Sequence, residues 1–124
     1  MKNITNGIDI VYIPRMKETL NDKIIKKIFT INVVKYINSR NNNIDTICGL
    51  FAAKEAFSKA LGTGIKNFSL KDLYIKNNKD GKPEFFFNDS LKQILQNRCG
   101  ECVVHVSLSH ETDYAIAYVV IEKI

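Results

Sequence analysis

The segment 51–65, FAAKEAFSKALGTGI, constrains the fold more than any other part of the chain. At about 100° per residue, a helix places its main apolar side chains on one side, namely Leu50, Ala53, Phe57, Ala60 and Leu61. Glu55 and Lys59 are four residues apart on the opposite side. Gly62 and Gly64 follow directly and can end the helix. This pattern predicts a packed helix whose Glu–Lys pair is either solvated or part of a site.

The rest of the pattern predicts an α+β fold, with packed helices and a mostly antiparallel sheet in one domain, 1–124. Strands are predicted at 4–13, 72–77, 85–87, 102–110 and 114–122, and the last two form a hairpin through 110–113. After a boundary at Pro14, segment 15–37 is predicted to hold one or two helices. A short helix is predicted from a cap at Asn88 or Asp89 to about Arg98, with a polar loop at 39–45 and a turn at 78–83.

Charge and hydropathy restrict the class of function. The 18 basic and 13 acidic residues give a net charge of +5, which favours acidic partners. No apolar run is long enough to span a bilayer, and the start lacks the layout of a signal peptide, so we expect a cytoplasmic protein that does not enter membranes. A nucleic-acid-binding module is the main alternative, but no basic stripe alternates with aromatics, and 31–37 and 84–87 are typical of core.

The three cysteines allow a second alternative. Cys99 and Cys102 have C-x-x-C spacing, and Cys48 and His105 could complete a zinc site. A specific zinc-binding pattern needs two pairs of ligand residues at set spacings, and this sequence has only one such pair. Buried or incidental thiols are therefore the favoured interpretation.

Asp9 is an acid inside the apolar segment 7-GIDIV-11. If it is buried, it must be paired, protonated or bound to a metal; otherwise it lies at a strand edge and faces water. Gly62 and Gly64 would let backbone amides approach a ligand without a Cβ in the way. A site for a hard cation that binds a diphosphate needs such groups: the carboxylates of Asp9 and Glu55, the ammonium of Lys59, and backbone amides that no side chain shields.

These residues give the chain a specific resemblance. Segments 7-GIDIV-11, 51–65, 81-GKP-83, 104-VHVSLSH-110 and 114-YAIAYVVIE-122 resemble those of holo-acyl-carrier-protein synthases, the short bacterial 4′-phosphopantetheinyl transferases, in order and separation. The resemblance implies the fold of that family. It also implies transfer of phosphopantetheine from coenzyme A to a serine of apo-acyl carrier protein, with release of adenosine 3′,5′-bisphosphate, in support of fatty acid biosynthesis.

The resemblance also implies roles for particular residues. Asp9 and Glu55 match the acids that bind Mg²⁺, and Lys59 matches the lysine that touches the diphosphate, so Glu55 and Lys59 are the catalytic candidates. The base that deprotonates the serine is either a carboxylate or a water bound to the metal. The coenzyme pocket is implied to include Ser58, Lys59, Gly62, Gly64, Gly81, Lys82, Pro83, Ser109 and His110.

Partners are implied in the same way. Arg15 matches a basic position that docks the acidic carrier protein. The family commonly forms a homotrimer with each active site at a subunit junction. The chain departs from its relatives at Leu50, often Arg, and at Asn41–Asn43, often basic. The residues that bind the coenzyme 3′-phosphate are therefore not identified, and Arg40, Lys54, Lys66 and Lys82 are the candidate substitutes. A protein of the same fold that has lost its activity (an inactive scaffold) is an alternative.

Overall fold

The computed structural model describes residues 3–39, 44–64 and 68–124. Its strands are β1 (Ile4–Tyr12), β2 (Leu73–Asn77), β3 (Pro83–Phe87), β4 (Cys102–Glu111) and β5 (Tyr114–Lys123). Its helices are α1 (Ile13–Thr19), α2 (Asp22–Ile28), α3 (Ile31–Ser39), α4 (Ile44–Leu61) and α5 (Asp89–Cys99), and a 3₁₀ turn, Leu70–Asp72, precedes β2. None of the helices in these ranges combines the length and apolarity that crossing a bilayer requires.

The strands form two antiparallel sheets, which confirms the predicted α+β class. One sheet has the order β1-β5-β4, and the other is the β2–β3 hairpin. Asp9 lies opposite Ala117, and Ser107 lies opposite Tyr118. Because strand side chains alternate between faces, one face of the larger sheet is buried, with Val11, Val106, Ala115, Ala117, Val119 and Ile121 in the core. The strands β4 and β5 form the predicted hairpin.

Helix α4 is the central element of the core, and it is buried around most of its circumference. Its small side chains allow strands to lie close against it, and Ala52, Ala53, Ala56, Phe57, Ala60 and Leu61 are all buried. Of the pair predicted on the opposite side, Lys59 is exposed and Glu55 is half-buried, and the polar residues Lys54 and Ser58 are also buried. The helix begins at Ile44, so the end of the predicted 39–45 loop is helical, while 40–43 lies outside the described residues.

The segment after β1 forms three helices, so the prediction of one or two was wrong. Pro14 lies in the first turn of α1, where a missing N–H is tolerated, and therefore begins a helix that already includes Ile13. The chain becomes extended at Leu20 and again at Phe29. Asn21 then caps α2, because its side-chain oxygen accepts a hydrogen bond of 2.9 Å from the Ile24 amide.

Lys54 ties these helices to the core. Its Nζ donates to the carbonyl oxygens of Ile28 at 2.9 Å and Leu70 at 2.6 Å, and it lies 4.8 Å from the centre of the Phe29 ring. The side chain is only 1% exposed. This placement argues against the suggested role for Lys54 in holding a coenzyme phosphate.

We expect Lys54 to make stability depend on pH. Burial lowers the pKa of Lys54 to about 7, against a smaller opposing effect of Asp72, whereas a lysine in the unfolded chain titrates near pH ~10.4. Below pH 7 the lysine is charged in both the folded and the unfolded protein, so the folded state carries the full cost of burying the charge. Between the folded pKa and the unfolded pKa, the unfolded state binds more protons than the folded state, so the free energy of unfolding rises with pH. The neutral amine still has two hydrogens for the two carbonyls.

The measurement is urea unfolding of the wild type and Lys54→Met at pH 7 and pH 9. The wild type should gain about 2 kcal/mol of unfolding free energy relative to the variant over this interval. The variant should be the less stable protein at both pH values, because two buried carbonyls lose their donor. Equal pH dependence in the two proteins would show that Lys54 keeps its charge throughout.

Candidate functional site

Asp9 and Lys59 meet where the edge strand β1 lies against α4. The Lys59 Nζ donates to Asp9 Oδ1 at 3.0 Å and to the carbonyl oxygen of Ile8 at 2.9 Å. The Asp9 side chain is 16% exposed and that of Lys59 is 52% exposed. Of the alternatives for Asp9, the structure therefore shows a mostly buried, paired carboxylate, although its strand is an edge strand.

Glu55 belongs to the same cluster. Burial, followed by the nearby Asp9 carboxylate, raises the pKa of Glu55, and the Lys59 ammonium opposes the rise. The two acids are thus close enough to repel each other, which a cation between them would relieve. Their oxygens are the ligand type that Mg²⁺ prefers, and it commonly takes only one or two carboxylates plus phosphate and water. No set of three His, Cys, Asp or Glu side chains in the described ranges could hold a metal alone.

Gly7 brings these groups together. A Cβ at this position would collide with the Ala56 carbonyl oxygen and would lie 2.6 Å from the Ala60 nitrogen. Only glycine therefore allows β1 to approach α4 this closely. The short Gly7–Ile8–Asp9 sequence sets the strand against the helix and then directs the Asp9 side chain towards it.

The end of α4 has the glycine geometry of a helix terminus. Gly62 has a φ of 86° and Gly64 a φ of 61°, a region that residues with a Cβ rarely adopt. The Gly62 amide donates to Ser58 O at 3.2 Å and to Lys59 O at 3.1 Å. The Ser58 hydroxyl is buried and donates to Glu55 O at 2.7 Å. Contacts of Ser58, Gly62 and Gly64 with the coenzyme stay predictions.

Segment 81–83 completes the β2–β3 hairpin. Gly81 has a φ of 84° and donates to Asn78 O at 2.9 Å, and the Lys82 amide donates to Asn78 Oδ1 at 3.0 Å. The predicted turn chemistry is confirmed. Gly81, Lys82 and Pro83 also line a cleft of about 530 Å³ beside β4 and β5.

The candidate coenzyme residues are divided among separate clefts of this chain. Ser109 and His110, at the end of β4, line a cleft of about 1020 Å³ that also includes Leu50. Lys59 and Gly62 line another, of about 600 Å³. Within one chain the structure therefore brings together Asp9, Glu55 and Lys59, but does not bring the 81–83 turn or His110 to them.

The remaining candidates are placed as follows. Arg15 is exposed on α1, with its guanidinium 5.5 Å from the centre of the Tyr12 ring. The Sγ atoms of Cys99 and Cys102 are 3.3 Å apart. Cys48 is in the core, where burial raises its pKa to about 11, and His105 faces outwards and pairs with Glu122 at 3.1 Å. These positions give no four-residue zinc site.

Sequence reasoning missed Arg98, in the last turn of α5. Its Nε donates to the carbonyl oxygen of Leu61, which is 37 positions earlier in the chain. A cation near a helix C-terminus is a common feature that complements the helix dipole. The local sequence therefore gave no sign that Arg98 lies beside the end of α4.

Comparison with known proteins identifies the family of this chain. The family model described as the 4′-phosphopantetheinyl transferase superfamily matches residues 6–119. A holo-[acyl-carrier-protein] synthase of Clostridium perfringens is 44% identical over 121 residues, covering 94% of this chain and 91% of the relative.

Two solved structures have the same fold. The holo-[acyl-carrier-protein] synthase of Neisseria meningitidis is 34% identical with a TM-score of 0.87, covering 96% of this chain and 98% of that one. The Bacillus anthracis synthase, solved in complex with CoA (3′,5′-ADP), is 34% identical with a TM-score of 0.80, covering 97% and 96%. The chain therefore belongs to the holo-[acyl-carrier-protein] synthase family of 4′-phosphopantetheinyl transferases, and it is an enzyme of that class.

Proposed function

We propose that this enzyme, as one domain, transfers the 4′-phosphopantetheine group of coenzyme A to a serine hydroxyl of apo-acyl carrier protein. The second product is adenosine 3′,5′-bisphosphate. The cluster of Asp9, Glu55 and Lys59 carries the proposal, because it provides two oxygen ligands and a cation beside a surface cleft. The names of its relatives and the coenzyme bound to the Bacillus anthracis protein support the same reaction.

Asp9 and Glu55 would hold Mg²⁺ in this reaction. When bound, the ion supplies positive charge against the diphosphate. Lys59 stays within reach of Asp9, and its half-exposed ammonium can face the phosphate at the same time. It would stabilise the negative charge that develops on the leaving adenosine bisphosphate. The carrier serine is the nucleophile, so the residues of this chain position the substrates and neutralise the phosphate charge, and none of them attacks the phosphate.

The assembly proposed for this enzyme is a homotrimer. The outer face of the β1-β5-β4 sheet exposes apolar side chains that a monomer would leave in water, including Ile4 (60%), Ile8 (58%), Ile10 (58%), Tyr114 (45%) and Tyr118 (44%). Large exposed apolar patches of this kind mark protein interfaces. Packing copies on this face would also let the 81–83 turn or His110 of a neighbour complete the site of Asp9 and Glu55.

Substituting Ile10 by Asp should dissociate the assembly. Ile10 is exposed in the single chain, so the change costs the monomer fold little, but it would bury a carboxylate in the trimer. Sedimentation equilibrium should change from three chains to one, and transfer activity should fall with it. Ile31→Asp is the matched control, because Ile31 is 70% exposed on helix α3 and is not part of the sheet. A trimer that survived Ile10→Asp would contradict this use of the face.

The partner proposed for the enzyme is an acidic carrier protein of fatty acid biosynthesis in the cytoplasm. Arg15 is exposed on α1, immediately after the strand that bears Asp9. Its guanidinium can form paired hydrogen bonds with carboxylates of the carrier. The net charge of +5 would speed the encounter.

The experiment that tests the reaction is incubation with coenzyme A, Mg²⁺ and apo-acyl carrier protein, followed by intact mass of the carrier. The expected result is a gain of one phosphopantetheine group that requires both the coenzyme and the metal. If no carrier from a panel of bacterial carrier proteins gained this group, while the protein remained folded, the inactive scaffold would be the better account.

A further inference from the structure

We propose that the cleft between β1 and the C-terminal ends of α4 and α5 is an anion subsite, in which Arg98 binds the diphosphate of coenzyme A beside Lys59. This inference rests on the proposed function and adds to it a residue outside the motifs that identify the family. The cleft measures about 600 Å³ and is the one that includes Lys59 and Gly62.

The lining of this cleft is suited to an anion. Its polar side chains are two cations, Lys59 and Arg98, two amides, Asn6 and Asn97, and the hydroxyl of Thr5, and it includes no carboxylate. The Thr5 hydroxyl is the one buried side-chain polar atom in the described ranges that lacks a hydrogen-bond partner. A ligand with several acceptor oxygens would match this set of donors.

Arg98 is held in place but keeps donors for a ligand. Its Nε donates to Leu61 O, and it forms no ion pair with a carboxylate among the described residues. A Cβ on Gly62 would be 3.0 Å from its Nη2, so the glycine makes room for the guanidinium beside the end of α4, and Nε is the only guanidinium nitrogen that forms a hydrogen bond among the described residues. Both Nη groups can therefore form the paired hydrogen bonds that guanidinium makes with phosphate.

The competing explanation is that Arg98 only caps α4. A cation at a helix C-terminus is stabilising by itself, and the bond to Leu61 O would serve this purpose. Two substitutions separate the roles. Arg98→Gln keeps an amide that can donate to Leu61 O but removes the charge, and Thr5→Val removes a hydroxyl that makes no hydrogen bond in the fold.

The experiment measures binding of inorganic pyrophosphate, coenzyme A and dephospho-coenzyme A by calorimetry without divalent metal. We expect Arg98→Gln to weaken the binding of all three ligands by about tenfold, which is the usual effect of losing one charge-assisted hydrogen bond. Thr5→Val should weaken the binding of pyrophosphate by about threefold with no loss of Tm.

Enzyme kinetics give a second measurement. Arg98→Gln should raise the KM for coenzyme A more than it lowers kcat, which a purely structural role would not do. Lys92→Gln is the control for charge, on the same helix but outside the cleft.

The outcomes are distinct from those of the proposed function. If Arg98→Gln and Thr5→Val bind pyrophosphate as tightly as the wild type, the subsite is wrong, even if transfer is normal. If the effect of Arg98→Gln disappears with dephospho-coenzyme A, the guanidinium contacts the 3′-phosphate and the assignment to the diphosphate is wrong. If pyrophosphate binding depends on Arg98 but no carrier is modified, the subsite stands and the proposed function fails. If Arg98→Gln does not fold, Thr5→Val decides.

Discussion

Replacing Glu55 by Gln is expected to lower the rate of transfer by about 10³-fold, the scale on which a single group that stabilises the reacting charge contributes. The variant keeps the size of the side chain but removes one of the two carboxylates proposed to hold Mg²⁺. Because burial and Asp9 both raise the pKa of Glu55, its charge costs folding free energy at neutral pH. The inactive variant should therefore have a Tm equal to or above that of the wild type.

The assay is the carrier mass shift followed over time at several Mg²⁺ concentrations, together with thermal unfolding. Asp9→Asn should lose activity to a similar extent, and it should also release Lys59 from its ion pair. Glu101→Gln, at an exposed acid between α5 and β4, controls for loss of a negative charge. Near-normal turnover of either site variant at limiting Mg²⁺ would contradict the assignment of that acid as a metal ligand.

Replacing Gly7 by Ala is expected to lower the free energy of unfolding by about 3 kcal/mol or more, as severe overpacking of a core does. The added methyl would collide with the backbone of α4 at Ala56 and Ala60, and neither backbone atom can turn aside as a flexible side chain would. The strand and the helix would have to separate. Because Asp9 and Lys59 are on these two elements, activity should fall with stability.

The matched control is Gly49→Ala, which makes the same substitution within α4. A Cβ at Gly49 would meet no atom within 4 Å, so alanine should stabilise the helix by up to about 1 kcal/mol. Urea unfolding of both variants gives effects of opposite sign if β1 packs as observed. Equal stabilities for Gly7→Ala and the wild type would mean that the strand does not lie this close to the helix.

The cluster could be predicted from sequence because Glu55 and Lys59 belong to one long, specific motif, and Asp9 lies in a short segment, 7–11, that resembles the same family. The paired state of Asp9 could not, since an edge strand offers its side chains either to water or to the core. The predicted number of helices after β1 was wrong because the helix breaks at Leu20 and Phe29 contain neither glycine nor proline, which are the usual local signals that a helix ends.

The other omissions are contacts between residues that are distant in sequence. Lys54 reaches carbonyls 26 and 16 positions away, and Arg98 reaches one 37 positions away. Helical periodicity placed Lys54 on a helix but gave no sign that its ammonium would be buried. Such hydrogen bonds depend on how the elements pack, so they become visible only in the folded chain.

The alternation along β1 also limits how this gene can change in length. Asp9 faces the helix, while its neighbours Ile8 and Ile10 face outwards. Loss or gain of one codon within β1 and ahead of Asp9 would invert the pleat on one side of the change, so that either the acid turns outwards or the residues before it exchange faces. Only paired insertions or deletions would preserve both surfaces, so descendants of this chain should vary in length at their loops and keep this strand's spacing unaltered.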